Sequence, residues 1–302
     1  MRYLLLAAVL GCGADGGGAG LGDPCSLTIA CGDGTACDYT IDAPVCIDGS
    51  GDPDGDGIPN SMDHCPNAAG GLYDEDHDGI GDDCDPCPIA KPTGVKDADM
   101  DAVESPCDPD PHTAGDKILF FDGFNGALDA AWTPDAGGAW TVEGGELVVR
   151  LGTIADENYI RVVVPAEPNL AVETSYRVDK IETSAPTHIV AAGARDTRPA
   201  GVASFECGVV RSDVGGNDDV VDLETNQGST SHGVMVGAFD SQRLYRAAAY
   251  ATRTTVGCTV IGDSMPVATV QAPITPDALG TVSLGARAVT ARYQWVLVVG
   301  RD

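Results

Sequence analysis

Carboxylate side chains at every second position are the residues of this sequence with the clearest chemistry. The segment 52–58 reads DPDGDGI, and the same order recurs in 74–80 (DEDHDGI) and, less completely, in 97–103 (DADMDAV). Alternating carboxylates in a tight turn converge on one point, and a Gly after the third lets the next carbonyl turn inward. A hard cation with six to eight oxygen ligands needs this arrangement, which favours calcium over magnesium.

A solvated acidic linker that binds no metal is the alternative interpretation of these segments. Random spacing would rarely repeat three Asp residues, a Gly and a β-branched residue in register. The segments also differ from an EF-hand, because no Glu follows at the twelfth loop position and Pro and Cys interrupt both sides. The sequence therefore favours calcium loops of another kind.

The segments resemble the thrombospondin type 3 repeat, which also occurs in bacterial surface proteins and wraps calcium in DxDxDGxxDxxDxCP sequences with almost no hydrophobic core. The resemblance implies calcium as the cofactor and three sets of oxygen ligands, in which Ile58, Ile80 and Val103 contribute backbone carbonyls. The three implied sets are Asp52, Asp54, Asp56, Ile58, Asn60 and Asp63; Asp74, Asp76, Asp78, Ile80, Asp82 and Asp85; and Asp97, Asp99, Asp101, Val103 and Asp108. In the third set Ala102 replaces the Gly and Ser105 replaces an Asp.

Cysteine usage indicates an oxidising compartment. The chain has 11 Cys, and setting Cys12 aside leaves an even number, which is typical of disulfide bonding in an exported protein. Zinc is the alternative, because 84–87 has CxxC spacing, but no second CxxC or paired His follows it.

The remaining cysteines form three groups along the chain, and in the first group three pairings stay open. In the first group an EGF-like alternation, Cys25–Cys37 with Cys31–Cys46, is one of the three pairings. In the second group the resemblance to thrombospondin repeats implies a ladder of two bridges, Cys65–Cys84 and Cys87–Cys107. The third group is the single pair Cys207–Cys258.

The N-terminus predicts export and a lipid anchor. Arg2 gives a positive start, the run 3–10 is apolar throughout, and 9–12 (VLGC) resembles the bacterial lipobox. The run is too short to span a hydrocarbon core of roughly 30 Å as a helix, but it fits a secretory signal. The resemblance implies acylation of Cys12, with an ordinary signal peptide and an incidental Cys as the alternative. Because position 13 is not Asp, it also implies the cell outer membrane, and we expect surface exposure.

Negative charge is concentrated in the first part of the chain. The formal net charge is -29, and residues 13–115 hold 23 acidic against two basic side chains. Such a surface repels a phosphate backbone, so nucleic acid is excluded as a partner. Near 112–116 the composition becomes that of an ordinary globular domain.

From position 117 onward the sequence predicts β-structure. Nine short segments are rich in β-branched or alternating apolar residues and have turn residues between them. These segments are 145–151, 159–164, 172–178, 188–194, 203–210, 243–250, 256–261, 281–286 and 293–299. Their spacing, without a capped amphipathic helix, predicts a β-sandwich.

Three stretches, 120–124 (FFDGF), 140–149 (WTVEGGELVV) and 284–298 (LGARAVTARYQWVLV), resemble concanavalin A-like jelly-roll domains, the relatives of lectins, laminin G modules and glucanases. The resemblance covers most of 116–302 and implies a fold rather than a ligand. The predicted fold class is therefore mainly β, with an irregular, calcium-wrapped, disulfide-rich stalk followed by a jelly-roll β-sandwich.

The acidic residues of this second half are the candidates for a catalytic pair. Jelly-roll glycosidases that retain configuration hold two carboxylates about 5 Å apart on one strand face. Asp222 and Glu224 would share a face, but Val220 stands where the family's Glu-x-Asp-x-Glu form has its first Glu. We therefore expect a solvated strand face and no catalytic residue. The aromatic side chains that could stack on a sugar, and that we expect in the core, are Trp132, Trp140, Tyr245 and Tyr250.

The expected organisation is a signal peptide (1–11), a flexible tether (12–24), a disulfide-stapled module (25–50), calcium repeats (51–111) and a jelly-roll domain (116–302). We expect a calcium-binding cell-surface lipoprotein that presents this domain for carbohydrate binding or adhesion. Its partner would be a glycan or another surface protein, and its membrane contact the lipid anchor alone. The alternatives are a polysaccharide-acting glycoside hydrolase and a purely structural envelope protein.

Overall fold

A computed structural model describes residues 18–91, 97–136, 139–150, 157–195, 205–212, 218–225, 228–235, 243–262, 268–273 and 280–302. The chain divides into two compact units between Asp85 and Pro86. The predicted signal segment and Cys12 lie outside the described residues. Among the residues described, no helix is long and apolar enough to cross a membrane.

The first unit contains a small hairpin held by two disulfides. Strand β1 (Thr35–Asp38) pairs antiparallel with β2 (Val45–Asp48), and Cys37 lies opposite Cys46. The two bridges follow the alternating order, one of the three pairings that the sequence left open. They are Cys25–Cys37 and Cys31–Cys46.

The segment 18–24, predicted as part of a flexible tether, is instead hydrogen-bonded to this module. The Ala19 N–H donates to the Ala30 carbonyl at 3.0 Å, and the Gly22 N–H donates to the Cys46 carbonyl at 2.8 Å. The Gly-rich composition indicated a linker. Backbone hydrogen bonds need no particular side chain, so composition did not reveal this pairing.

The rest of the first unit consists of turns and bends, without a strand in 49–85. The aliphatic, aromatic or sulfur-containing side chains that are buried within 18–85 are Cys25, Cys46, Cys65, Pro66 and Ile80. So little apolar surface cannot stabilise a fold by burial. The bridge between Cys65 and Cys84 and the polar contacts of the acidic loops must hold this region together.

The second unit is built from β-strands. Along the described part of 86–302 they are β3 (Asp116–Asp122), β4 (Thr133–Pro134), β5 (Trp140–Val142), β6 (Leu147–Arg150), β7 (Asn158–Val163), β8 (Asn169–Ile181), β9 (Thr187–Ala194), β10 (Phe205–Ser212), β11 (Asp218–Thr225), β12 (Gly228–Met235), β13 (Tyr245–Ala251), β14 (Thr255–Gly262), β15 (Ala268–Pro273), β16 (Thr281–Arg287) and β17 (Val289–Arg301).

These strands form two antiparallel sheets that share one core. In the described part of the chain, one sheet has seven strands in the order β12-β11-β10-β9-β16-β7-β4. The other has eight in the order β15-β14-β13-β8-β17-β6-β5, and β3 also pairs with β17. Every second side chain of β13, from Tyr245 to Ala251, is buried in the shared core. This arrangement confirms the predicted mainly β fold class with a β-sandwich in the second half.

Two disulfides lie in the second unit. Cys87 is bridged to Cys107 across the third acidic repeat, as the resemblance to thrombospondin repeats implied. Cys207 on β10 is bridged to Cys258 on β14, and both cysteines are fully buried. Because β10 and β14 belong to different sheets, the second bridge ties the two layers of the sandwich together.

Strand β17 is buried on both of its faces. Its inward side chains, such as Val296, belong to the core between the sheets. Its outward side chains Trp295 and Leu297 form a second apolar cluster with Val103 and Cys107 of the third acidic repeat. The third repeat is therefore packed on the sandwich and belongs to the same compact unit.

Each of the nine predicted segments overlaps an observed strand, and the described strands of the second unit outside those segments are β3, β4, β5, β11, β12 and β15. The segments of β11 (DDVVDLET) and β12 (GSTSHGVM) contain many residues of low β-propensity. They form strands because β11 pairs with β10, and β12 pairs with β11, through backbone hydrogen bonds. This pairing depends on the tertiary structure and cannot be predicted from the local sequence.

Candidate metal centres

The three acidic loops share one backbone conformation. At the sixth position of each loop, Gly57, Gly79 and Ala102 have positive φ angles of 95°, 100° and 77°. In each loop the N–H of this residue donates to the first Asp, at 3.2, 2.9 and 2.9 Å respectively. The third loop thus adopts the same turn as the first two, although Ala pays a steric cost for a left-handed φ that Gly does not.

The alternating carboxylates converge in every loop. In each triad, one carboxylate oxygen from each of the three residues lies within 4.8 Å of the others. The triads are Asp52, Asp54 and Asp56; Asp74, Asp76 and Asp78; and Asp97, Asp99 and Asp101. Three negative charges this close repel one another strongly unless a cation lies among them.

In the first loop, two further predicted ligands are buried behind the triad. Asn60 and Asp63 are each 6% exposed. The Asn60 side-chain amide donates to the Asp48 carbonyl at 2.8 Å, which leaves its oxygen available. Burial, together with the charges of Asp54 and Asp56, raises the pKa of Asp63 above its usual range.

In the second loop, the corresponding positions are Asp82 and Asp85. Asp85 is buried, and Asp82 accepts a hydrogen bond from the Glu75 N–H at 2.8 Å. Burial raises the pKa of Asp82 to about 7, and the neighbouring Glu75 and Asp74 charges act in the same direction. The Ile80 N–H donates to the third carboxylate of this loop at 2.9 Å, which fixes the backbone at a predicted carbonyl ligand.

A metal fits these loops because several buried oxygens point at no donor. Within the described part of the chain, one oxygen each of Asp54, Asn60, Asp63 and Asp108, and both of Asp99, have no hydrogen-bond partner. A buried polar atom without a partner is costly, and nearly all such atoms in folded proteins are satisfied. Oxygens of carboxylates and amides are the ligands that calcium prefers.

The third loop brings in a carboxylate that the sequence reasoning missed. Oxygens of Asp101, Asp108 and Asp116 also lie within 4.8 Å of one another. Burial raises the pKa of Asp108, and it raises that of Asp116 to about 6. Asp116 is the first residue of β3, beyond the predicted repeat. Its spacing after Asp101 equals that of Gly71 after Asp56, so the repeat alignment carried no signal for an acidic ligand at this position.

A cleft of about 440 Å³ lies beside the third repeat on the outer face of the eight-stranded sheet. Its floor includes Ala171 of β8, Ala248 of β13 and Leu297 of β17, and the segment 106–110 forms a wall. Three of the four aromatic side chains considered above are in the core, as expected; the fourth, Tyr250, is half-buried and lines this cleft. The polar side chains that line it include Asp108, Asp110, Asp116, Asn169, Glu173 and Arg301.

The polar groups of the cleft are mostly acidic. Arg301 donates to Asp110 at 2.9 Å, and Arg246 donates to Glu173 at 2.6 Å. Burial raises the pKa of Glu173, although the Arg246 charge opposes this. The acidic excess disfavours an anionic ligand, whereas neutral hydroxyl groups could bond to these carboxylates and to Tyr250.

The carboxylate pair tested for catalysis lies on β11 in the other sheet. Asp222 is partly buried, and both Asp222 and Glu224 belong to this strand. The register sets Glu206 of β10 directly opposite Glu224, so the two residues share a face. The Tyr159 hydroxyl lies 3.0 Å from a Glu206 oxygen. Sequence reasoning missed Glu206 because cross-strand register cannot be derived from one strand alone.

No protein-family model matches this sequence, and no curated protein matches it. Solved structures with a similar fold include peanut lectin with a 9mer peptide (13% identity, 62% of this chain and 97% of that chain, TM-score 0.44). Others are a Bacillus licheniformis β-glucanase (13%, 62% and 99%, TM-score 0.46) and a Lotus tetragonolobus seed lectin (10%, 61% and 99%, TM-score 0.46). At such low identities and TM-scores, these likenesses carry no inference about ligand or activity.

The strained third loop yields a prediction. Ala102→Gly should tighten calcium binding at that loop about fivefold, since relieving a left-handed Ala is worth about 1 kcal/mol. Gly57→Ala is the matched reverse variant, because a Cβ added there meets nothing within 4 Å and so adds backbone strain alone. It should weaken the first loop by a similar factor. Calorimetric titration with calcium measures both, and unchanged affinities in both variants would show that the loops do not bind the ion.

Proposed function

We propose that this chain is an exported, calcium-binding lipoprotein whose acidic loops carry a β-sandwich recognition domain. The observation that carries the proposal is the repeated convergence of three carboxylates within 4.8 Å on identically folded turns. Buried oxygens without donors, such as those of Asp54 and Asp63, support a bound cation within the described part of these loops. Calcium is the cation that matches an all-oxygen ligand set of this size.

Calcium would supply the stability that the first unit lacks. Its buried apolar side chains are few, and residues 18–85 hold 16 acidic residues and no Lys or Arg. Each bound ion offsets two charges and fixes one turn, so binding free energy becomes folding free energy. The disulfides Cys65–Cys84 and Cys87–Cys107 complement the ions by limiting the unfolded chain.

The membrane anchor is proposed from the sequence around Cys12. The short apolar run 3–10 fits a secretory signal, and the VLGC sequence at 9–12 places the cysteine for acylation. Several acyl chains on one cysteine meet the requirement of more than one chain for stable anchoring. The folded part would then be exposed on the outer membrane, tethered by this lipid.

Replacing the anchor residue tests this part of the proposal. Cys12→Ser should abolish fatty-acid incorporation and release the protein from the membrane fraction or leave its signal uncleaved. Cys207→Ser, which alters a sandwich cysteine, should leave incorporation unchanged. Metabolic labelling with a fatty acid, followed by gel analysis, measures both variants. Label that persists on Cys12→Ser would contradict a lipid at this position.

We propose that the sandwich recognises a neutral saccharide in the cleft beside the third repeat. The volume of about 440 Å³ suits a small ligand of one or two sugar units. Tyr250 offers an aromatic face for the C–H side of a sugar ring, and Asn169 and Glu173 offer groups for its hydroxyls. The acidic lining argues against sialylated, sulfated or phosphorylated ligands.

A polysaccharide-acting glycoside hydrolase is the second candidate. The observation that favours it is the register of β10 and β11 in the seven-stranded sheet, which pairs Glu206 directly with Glu224. Retaining hydrolysis needs two carboxylates about 5 Å apart, a spacing that opposed residues on neighbouring strands can provide. Asp222 lies two residues before Glu224 along β11.

A glycan array on the full chain discriminates these functions. Neutral glycans should be retained without turnover, and Tyr250→Ala should weaken retention about five- to tenfold, as expected for loss of an aromatic contact worth about 1 kcal/mol. Tyr73→Ala, which removes an exposed tyrosine in the first unit, is the control and should bind like the unmodified chain. Equal binding by the Tyr250→Ala variant would exclude the cleft. Release of shortened glycans, abolished in Glu206→Gln, would instead establish the hydrolase.

A further inference from the structure

We propose that Asp116, at the start of β3, joins Asp101 and Asp108 of the third acidic loop in a divalent-cation site that the sandwich itself completes. One carboxylate oxygen of each residue lies within 4.8 Å of the others. The repeat pattern assigns ligands within 97–108 and none from the sandwich. The inference rests on the calcium binding proposed above and identifies a ligand set which that proposal does not contain.

Burial makes this cluster costly without a cation. Asp108 is 8% exposed and Asp116 is 4% exposed. Within the described part of the chain, the second carboxylate oxygen of Asp108 meets no N–H or hydroxyl donor and lies beside the Asp116 carboxyl group, whereas its first accepts from the Asp110 N–H at 2.7 Å. A buried carboxylate oxygen that has only other carboxyl groups beside it is stabilised by a cation placed among them.

The nearby arginine does not balance the charge. Arg301 lies 2.9 Å from an Asp110 oxygen and 3.3 Å from an Asp116 oxygen. One guanidinium therefore faces four carboxylates, because Asp101 and Asp108 belong to the same group. A divalent ion offsets two of the remaining negative charges, and the donors present are the carboxylate oxygens that calcium prefers.

The backbone at the start of β3 is held in place for this role. One oxygen of Asp101 accepts hydrogen bonds from the N–H groups of Gly115, at 2.9 Å, and Asp116, at 2.7 Å. Gly115 has a φ of 123°, which an L-residue rarely adopts. The loop thus fixes the turn that brings the Asp116 side chain to Asp108.

Comparison with the first repeat shows that the carboxylate is a specific feature of the third. By the same spacing, Gly71 takes the place of Asp116, and Asp63 takes that of Asp108. Asp56 accepts a hydrogen bond from the N–H of the residue before Gly71 at 2.8 Å, so the turn is the same. Gly71 has a positive φ of 86°, and a Cβ built on it would overlap the Asp63 carboxylate, so the first repeat has no room for a side chain here. In the third repeat Asp116 begins β3 instead, and its carboxylate lies within 4.8 Å of those of Asp101 and Asp108.

A cation here would link the loop to the core of the sandwich. Asp116 begins β3, which pairs with β17 from Val296 to Arg301. The outward side of β17 already packs against Val103 of the same loop. Calcium binding at this site should therefore reduce opening of β3 and stabilise the second unit, whereas the first two loops act on the first unit alone.

Asp116→Asn in the full chain tests the inference, with Asp302→Asn as the control that removes an equal charge from an exposed residue after β17. Calcium titration by calorimetry should show one site lost or at least tenfold weaker in Asp116→Asn. Hydrogen exchange in the presence of calcium should slow across 116–122 in the unmodified chain and in the control, and should not slow in Asp116→Asn. Loss of both responses in this variant alone is the expected result.

The melting temperature separates a ligand from a structural side chain. In excess chelator, Asp116→Asn should melt no lower than the unmodified chain, because the variant removes a buried repulsive charge; with calcium it should melt lower. Equal lowering in both conditions would overturn the inference, as would unchanged calcium affinity and exchange. Those results would leave the proposed function standing if the first two loops still bind calcium. Absence of calcium binding by the unmodified chain would overturn both.

Discussion

Repulsion among clustered carboxylates, in a region with almost no apolar interior, is the constraint on which the first unit depends. Two of its turns each hold three carboxylate oxygens within 4.8 Å, and its buried apolar side chains are three cysteines, Pro66 and Ile80. Covalent bridges and polar contacts therefore replace most of the hydrophobic burial in this unit. The disulfides hold the loops near one another, but they leave the repulsion within each loop unrelieved. A divalent cation bound among the carboxylates would reduce this repulsion.

The sandwich is stabilised by apolar burial. The third acidic repeat combines this burial with the clustered carboxylates of the first two repeats. Its loop has the same turn and carboxylate cluster as the first two, yet Val103 and Cys107 pack on the outward side chains of β17. Apolar packing thus holds this loop even though Ala102 strains its backbone. The cleft beside it is bounded by the loop on one side and by Ala171 and Ala248 on the other. A ligand in this cleft would contact both the acidic loop and the apolar face of the sheet, which belong to the same unit.

Features set by short-range sequence were predictable, and those set by long-range pairing were not. The acidic turns follow from the spacing of Asp and Gly, since the hydrogen bond from the sixth loop residue to the first Asp closes each turn within five residues. Strands with clear alternation, such as β13 and β17, were located for the same reason. By contrast, the pairing of Glu206 with Glu224 and the approach of Asp116 to the third loop depend on contacts between distant segments. The alternating disulfides of the first module were one of three choices, which the fold of the hairpin decides.

Small-angle scattering with and without calcium tests the proposal that the ion builds the acidic region of the chain. With calcium the full chain should be compact, and excess chelator should increase its radius of gyration while the near-ultraviolet circular dichroism of the sandwich tryptophans is largely retained. Asp54→Ala combined with Asp76→Ala should reproduce the expansion in calcium. A radius of gyration that is the same in calcium and in chelator, together with no heat of calcium binding, would contradict a metal-built fold for this region.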